Sequence, residues 1–82
     1  MQKIRPDMDI GNNIQKARRR NKLTQDEVVA KLQLMDLNIS RSTYAKIETN
    51  RINIRVSELV ALKTIFKVEF NDFFEGLNND SF

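Results

Sequence analysis

The sequence predicts an all-α fold, a compact domain of five short helices, and three observations predict it. Residues 23–48 hold two helix starts, each opened by a hydroxyl residue, with a polar break between them. Three further segments carry apolar residues near helical spacing. No credible strand pair, internal repeat or Gly-rich phosphate loop competes with them.

Residues 1–9 are polar, contain Pro6, and read as an N-terminal arm ahead of the domain. Asp9 can cap a first helix over residues 10–22, with Ile10, Ile14 and Ala17 on one face and Leu23 packing just beyond its end. Gly11 and the two asparagines weaken this start by propensity. The helix closes on Lys16, Arg18, Arg19, Arg20 and Lys22, which complement the negative end of the helix dipole and make a cationic surface.

Thr24 followed by Glu27 is a capping box, and it fixes the start of the second helix. Val28, Val29, Leu32 and Met35 give that helix an apolar stripe, so it is expected to run to Met35 or Asp36. Leu34, Met35, Leu37 and Ile39 are too apolar for a simple exposed turn. Asn38 is expected to take left-handed or turn geometry, and Ile39 to fold back before the cap residue Ser40. The third helix then turns Tyr44 and Ile47 inward. Arg41, Ser42, Ala45 and Lys46 share its other side.

Asn50 suits a left-handed helix end. In the next stretch Arg51, Asn53 and Arg55 alternate with Ile52 and Ile54, which predicts an extended loop with isoleucines inward and polar side chains outward. Val56, Leu59, Val60, Leu62, Lys63 and Phe66 predict a fourth helix ending near Lys67, its wide apolar arc implying burial on more than one side. A fifth helix over residues 70–75 groups Phe70, Phe73 and Phe74 and stops at Gly76. Phe66, Phe70 and Phe73 are expected in the core. The domain thus spans residues 10–76, and residues 77–82 form a tail.

Composition narrows the function. The 82 residues suffice for one small domain. With no cysteine and no histidine, disulfides and the usual imidazole or thiolate metal sites are excluded, and no nucleophile and base pair for catalysis emerges. We therefore expect no enzyme, cofactor or metal. No secretory signal or apolar run long enough for a membrane span is seen, which makes the cytoplasm the expected location. Residues 1–55 hold twelve Lys or Arg against six Asp or Glu, and residues 56–82 hold two against five. Such asymmetry suits a chain that offers its first half to a polyanion.

The runs RRRNKLTQDEVVAKL, ISRSTYAKIE and SELVALKTIFKVEFNDFF, in that order, resemble the lambda-repressor-like, or XRE/Cro-type, helix-turn-helix regulators. The resemblance implies double-stranded DNA as partner and the third helix as the recognition helix. It assigns Arg41, Ser42 and Lys46 to base edges and Gln25 to a phosphate and to support of the recognition helix. Thr43 and Tyr44 fall where backbone contact meets core packing, and Arg18 and Glu48 match a semi-buried ion pair. Two features depart from the family pattern: Gln33 replaces the usual turn glycine within a longer connection, and Asn50 and Ile54 stand for the usual glycine and proline.

Arg19, Arg20, Lys22, Arg51, Asn53 and Arg55 flank the motif and complete the phosphate-contacting set. One short helix supplies limited discrimination, so a homodimer on a near-palindromic operator is expected, and Phe74, Leu77 and Phe82 form its candidate surface. The competing reading is an antitoxin or adaptor that grips a protein such as a toxin; an apolar recognition face would favour it, and the cationic face favours DNA.

Overall fold

The computed structural model describes residues 10–74. The expected arm, the Asp9 cap, Glu75, Gly76 and the tail with Leu77 and Phe82 lie outside them. Five helices follow in order: α1 (Ile10–Arg20), α2 (Gln25–Leu34), α3 (Arg41–Glu48), α4 (Val56–Phe66) and α5 (Phe70–Phe73).

Local chemistry starts the helices. At α2 the Thr24 hydroxyl accepts from the Glu27 N–H at 3.1 Å and the Glu27 carboxylate accepts from the Thr24 N–H at 2.8 Å. At α3 the Ser40 hydroxyl accepts from the Thr43 N–H at 3.1 Å. The start of α4 uses the reverse half of this device, the Glu58 carboxylate accepting from the Arg55 N–H at 2.9 Å. Each bond satisfies a backbone donor that a helix start leaves orphaned or exposed.

The first four helices share one ending. Lys22, Asp36, Asn50 and Lys67 all have positive φ, between 58° and 66°. The residue after each donates its N–H back five positions: Leu23 to Arg18, Leu37 to Leu32, Arg51 to Lys46 and Val68 to Lys63. This is the Schellman arrangement, in which a left-handed residue lets the chain reverse and satisfy a terminal carbonyl. None of the four is glycine. In three of them an apolar residue follows, and Leu23, Leu37 and Val68 pack against the core. That contact helps to offset the roughly 1–2 kcal/mol an L-residue loses in left-handed geometry.

The core comprises Ile14 and Ala17 of α1, Val28, Val29 and Leu32 of α2, Ile39, Tyr44 and Ile47 at α3, Ala61, Leu62 and Phe66 of α4, and Phe73 of α5. Helix α3 packs on both α1 and α2; α4 closes against α1 and α2, and α5 against α1. Two asparagines tie α1 to the last helices: Asn13 donates to the Phe73 carbonyl at 2.8 Å and Asn21 to the Phe66 carbonyl at 3.1 Å.

Several expectations are corrected. Helix α1 stops at Arg20, because Asn21 and Lys22 already form the turn. Helix α2 stops at Leu34, which makes Asp36, and not Asn38, the left-handed residue: only there can the Leu37 N–H reach back to Leu32. Leu34 is 85 % exposed since it lies two positions, or about 200°, from the buried Leu32. Met35 is also exposed. In the loop before α4, Ile54 packs inward but Ile52 does not. On α4, Ala61, Leu62 and Phe66 are buried and Leu59 and Ile65 pack against the core, but Val56 and Val60 are exposed. Phe70 is likewise half out of the core, with the Lys63 ammonium 5.5 Å from its ring centre.

Candidate nucleic-acid interface

The short sequence RSTYAKIE sorts its own side chains once α3 forms. Tyr44, Ile47 and Glu48 are buried, Thr43 and Ala45 are intermediate, and Arg41, Ser42 and Lys46 are exposed. An eight-residue helix is held by three inward anchors and offers a polar, cationic strip to solvent.

Glu48 is the polar anchor. Its side chain is fully buried, and Arg18 Nε and Nη2 donate to its two oxygens at 2.7 and 3.1 Å. Gln25 Nε2 donates to the same carboxylate at 3.0 Å, and Gln15 Nε2 lies at 3.4 Å. The remaining arm of Arg18 donates to the Leu23 carbonyl at 2.9 Å, so one guanidinium joins the end of α1, the turn into α2 and the end of α3. Burial alone would push the Glu48 carboxyl up, but the Arg18 guanidinium, with Tyr44 and Gln25, outweighs it and holds the carboxyl below its ordinary range. The Arg18 guanidinium is held more firmly protonated, first by its bond to Glu48. Burial, reinforced by the adjacent carboxylate, pushes the Tyr44 phenol well above its usual value; its hydroxyl closes no hydrogen bond of good geometry.

A close approach fixes α1 against the end of α3. The Gly11 N–H donates to Asn50 Oδ1 at 2.9 Å. A Cβ on Gly11 would meet the Ile47 carbonyl oxygen and would lie 2.6 Å from that of Glu48. The glycine that reads as a poor helix former is what allows the helix to sit there.

Around α3 the remaining candidates fall into two groups. Asn53 and Arg55 line a cleft of about 600 Å³ together with Gln33, Ser40 and Thr43, and so face the amino-terminal end of α3. Arg51 follows its carboxyl-terminal end and is exposed. Arg19 and Arg20 are exposed on the last turn of α1, and Lys22 is exposed in the turn that leads into α2. Gln25 opens α2 with its amide committed to Glu48. Among the described candidates for a dimer surface, Phe74 is 43 % exposed.

Sequence reasoning missed the Gly11 and Gln15 contacts with the end of α3, and one on the exposed face as well. Arg41 Nε lies 3.4 Å from Asp26 Oδ1, a pair that joins the first turn of α2 to the first residue of α3 across solvent. No spacing rule links positions on two different helices, although an acid beside Gln25 and a base after Ser40 were both visible. Among the described residues no cluster of acidic side chains is arranged to hold a metal ion, and no helix is long and apolar enough to cross a membrane.

Comparison with curated proteins and with solved structures gave no significant match. The family model described as Helix-turn-helix matches residues 14–73, from the Ile14 anchor of α1 through the Phe73 anchor of α5. With capped α2 and α3, the buried tie between them and the match over most of its length, the chain belongs to the helix-turn-helix family.

Proposed function

We propose that this protein is a sequence-specific double-stranded DNA-binding regulator of the lambda-repressor-like, XRE/Cro-type branch, acting as a homodimeric repressor on a near-palindromic operator. The observation that carries the reading is the division of α3 into buried Tyr44, Ile47 and Glu48 and exposed Arg41, Ser42 and Lys46.

The major groove admits an α-helix. In it, the forked donors of Arg41 match the O6 and N7 acceptors of guanine, Lys46 meets guanine or phosphate, and Ser42 adds a weaker contact. Gln25 keeps a second amide hydrogen for a phosphate, since a primary amide carries two. Thr43, Arg19, Arg20, Lys22, Arg51, Asn53 and Arg55 supply the remaining backbone contacts, which set affinity and salt dependence more than sequence choice. A bidentate pair discriminates by about 1–3 kcal/mol, so specificity needs a second copy, with half-sites about 34 Å apart. Phe74, with Leu77 and Phe82, forms the surface between copies. Such a regulator works in the cytoplasm and represses by occluding its operator, without cofactor or catalysis.

Selection of bound sequences from random duplex DNA with the purified protein tests this reading. The expected result is an enriched inverted repeat; no enrichment over input would overturn it. A second reading, an antitoxin or adaptor that binds a protein such as a toxin, draws support from the exposed Leu34 and Met35 at the end of α2. It is compatible with operator binding and predicts co-purification of one stoichiometric partner.

A further inference from the structure

The acidic side chains around the motif have separate tasks. Glu27 accepts the Thr24 N–H, Glu58 accepts the Arg55 N–H, and Glu48 is the buried partner of Arg18. Asp26 instead reaches across to the recognition helix, its Oδ1 3.4 Å from Arg41 Nε. Both side chains are largely exposed, 74 % for Asp26 and 63 % for Arg41, so the pair adds little to folding.

The edge of the guanidinium that Asp26 engages matters more. An arginine has five N–H donors in a fixed plane. Contact at Nε leaves the two terminal nitrogens, the pair that matches guanine O6 and N7, unblocked. A flexible arginine beside a phosphodiester would otherwise turn to the nearest phosphate, a contact that every sequence offers. A carboxylate next to Arg41 opposes that choice twice, by attracting the Nε edge and by repelling phosphate within the screening length of about 8 Å. It also weakens attraction to any DNA, specific or random. A favourable place in the first turn of α2 would stabilise that helix without any reach toward α3.

We propose that Asp26 is a specificity-determining residue of the DNA interface, one that positions Arg41 for a base and turns it away from the phosphates. The inference rests on the DNA-binding reading above.

The test is a competition titration of the selected site against random duplex of equal length, over a range of salt, with full-length wild type, Asp26→Asn, Asp26→Glu, Arg41→Ala and the double variant Asp26→Asn with Arg41→Ala. Asp26→Asn should tighten binding to random duplex and steepen its salt slope by about 0.9, the value of one added phosphate contact. The ratio of site to random affinity should fall roughly fivefold, the lower end of what a bidentate arginine–guanine pair discriminates. Asp26→Glu, which keeps the charge, should recover part of the ratio. With Arg41 already alanine, Asp26→Asn should leave the ratio unmoved.

Wild type that selects a site while Asp26→Asn keeps the same ratio would overturn the inference alone. So would a fall in the ratio of equal size in the Arg41→Ala background, because the carboxylate would then act without its arginine. Wild type that selects no sequence would overturn the DNA-binding reading and this inference with it.

Discussion

Arg18 and Glu48 meet with two hydrogen bonds, at 2.7 and 3.1 Å, and the carboxylate they share with Gln25 is fully buried at the end of the recognition helix. Removing the arginine alone strands that carboxylate. Arg18→Met should therefore cost about 3–5 kcal/mol, a large part of the stability of a small domain. Pairing it with Glu48→Leu should recover most of the loss, since an apolar pair requires no desolvated charge. Urea midpoints of the single and double variants measure both; a double variant no more stable than the single would contradict this account.

The same site sets a pH dependence. The folded carboxyl of Glu48 is held below its ordinary value, so it binds fewer protons than in the unfolded chain. Its contribution is present above the ordinary glutamate range and is lost as pH falls through the folded value. Tyr44 has the opposite sign: its folded phenol is raised, so its contribution is intact below the usual tyrosine range and declines as pH rises above it. Urea titrations from acid to alkaline pH should show a stability plateau bounded on both sides. Glu48→Gln should flatten the acid limb, whatever its effect on the plateau.

Gly11→Ala should destabilise the protein by about 1–3 kcal/mol, although alanine is the better helix former by about 1 kcal/mol. The added Cβ meets two carbonyl oxygens at the end of α3, and backbone cannot swing aside as a side chain can. Thermal unfolding decides between the two signs.

Left-handed helix ends without glycine give the opposite prediction. Lys22 is exposed, has φ 58° and precedes Leu23 at the end of α1. Lys22→Gly should raise stability by about 1 kcal/mol, the left-handed penalty less the extra entropy of glycine in the unfolded chain. A lowered urea midpoint would show that the lysine side chain contributes more than its backbone strain.

For DNA binding, Arg41→Ala should lower discrimination between the selected site and random duplex by about 1–3 kcal/mol. Arg20→Ala should weaken both equally and reduce the salt slope by about 0.9. Competition titrations at several salt concentrations separate these outcomes; equal losses for Arg41→Ala on both duplexes would remove it from the base-reading set.

By itself the sequence determined what depends on neighbours along the chain. Thr24 with Glu27 and Ser40 with Thr43 set the starts of α2 and α3 through bonds that span three residues, so periodicity and capping chemistry locate them. The inward side of α3, with Tyr44 and Ile47, follows from the same short-range pattern. The Arg18–Glu48 pair was within reach through the family resemblance, because no rule along the chain couples residues 30 positions apart. Tertiary structure decided the rest. It left Leu34, Val56, Val60 and Phe70 outside, because burial depends on which faces find a partner and not on hydrophobicity alone. It moved the left-handed turn from Asn38 to Asp36, because the Leu37 contact with the core selects where the chain reverses. It brought Asp26 to Arg41 and Gly11 to α3, since approaches between separate helices exist only after the core has set their spacing.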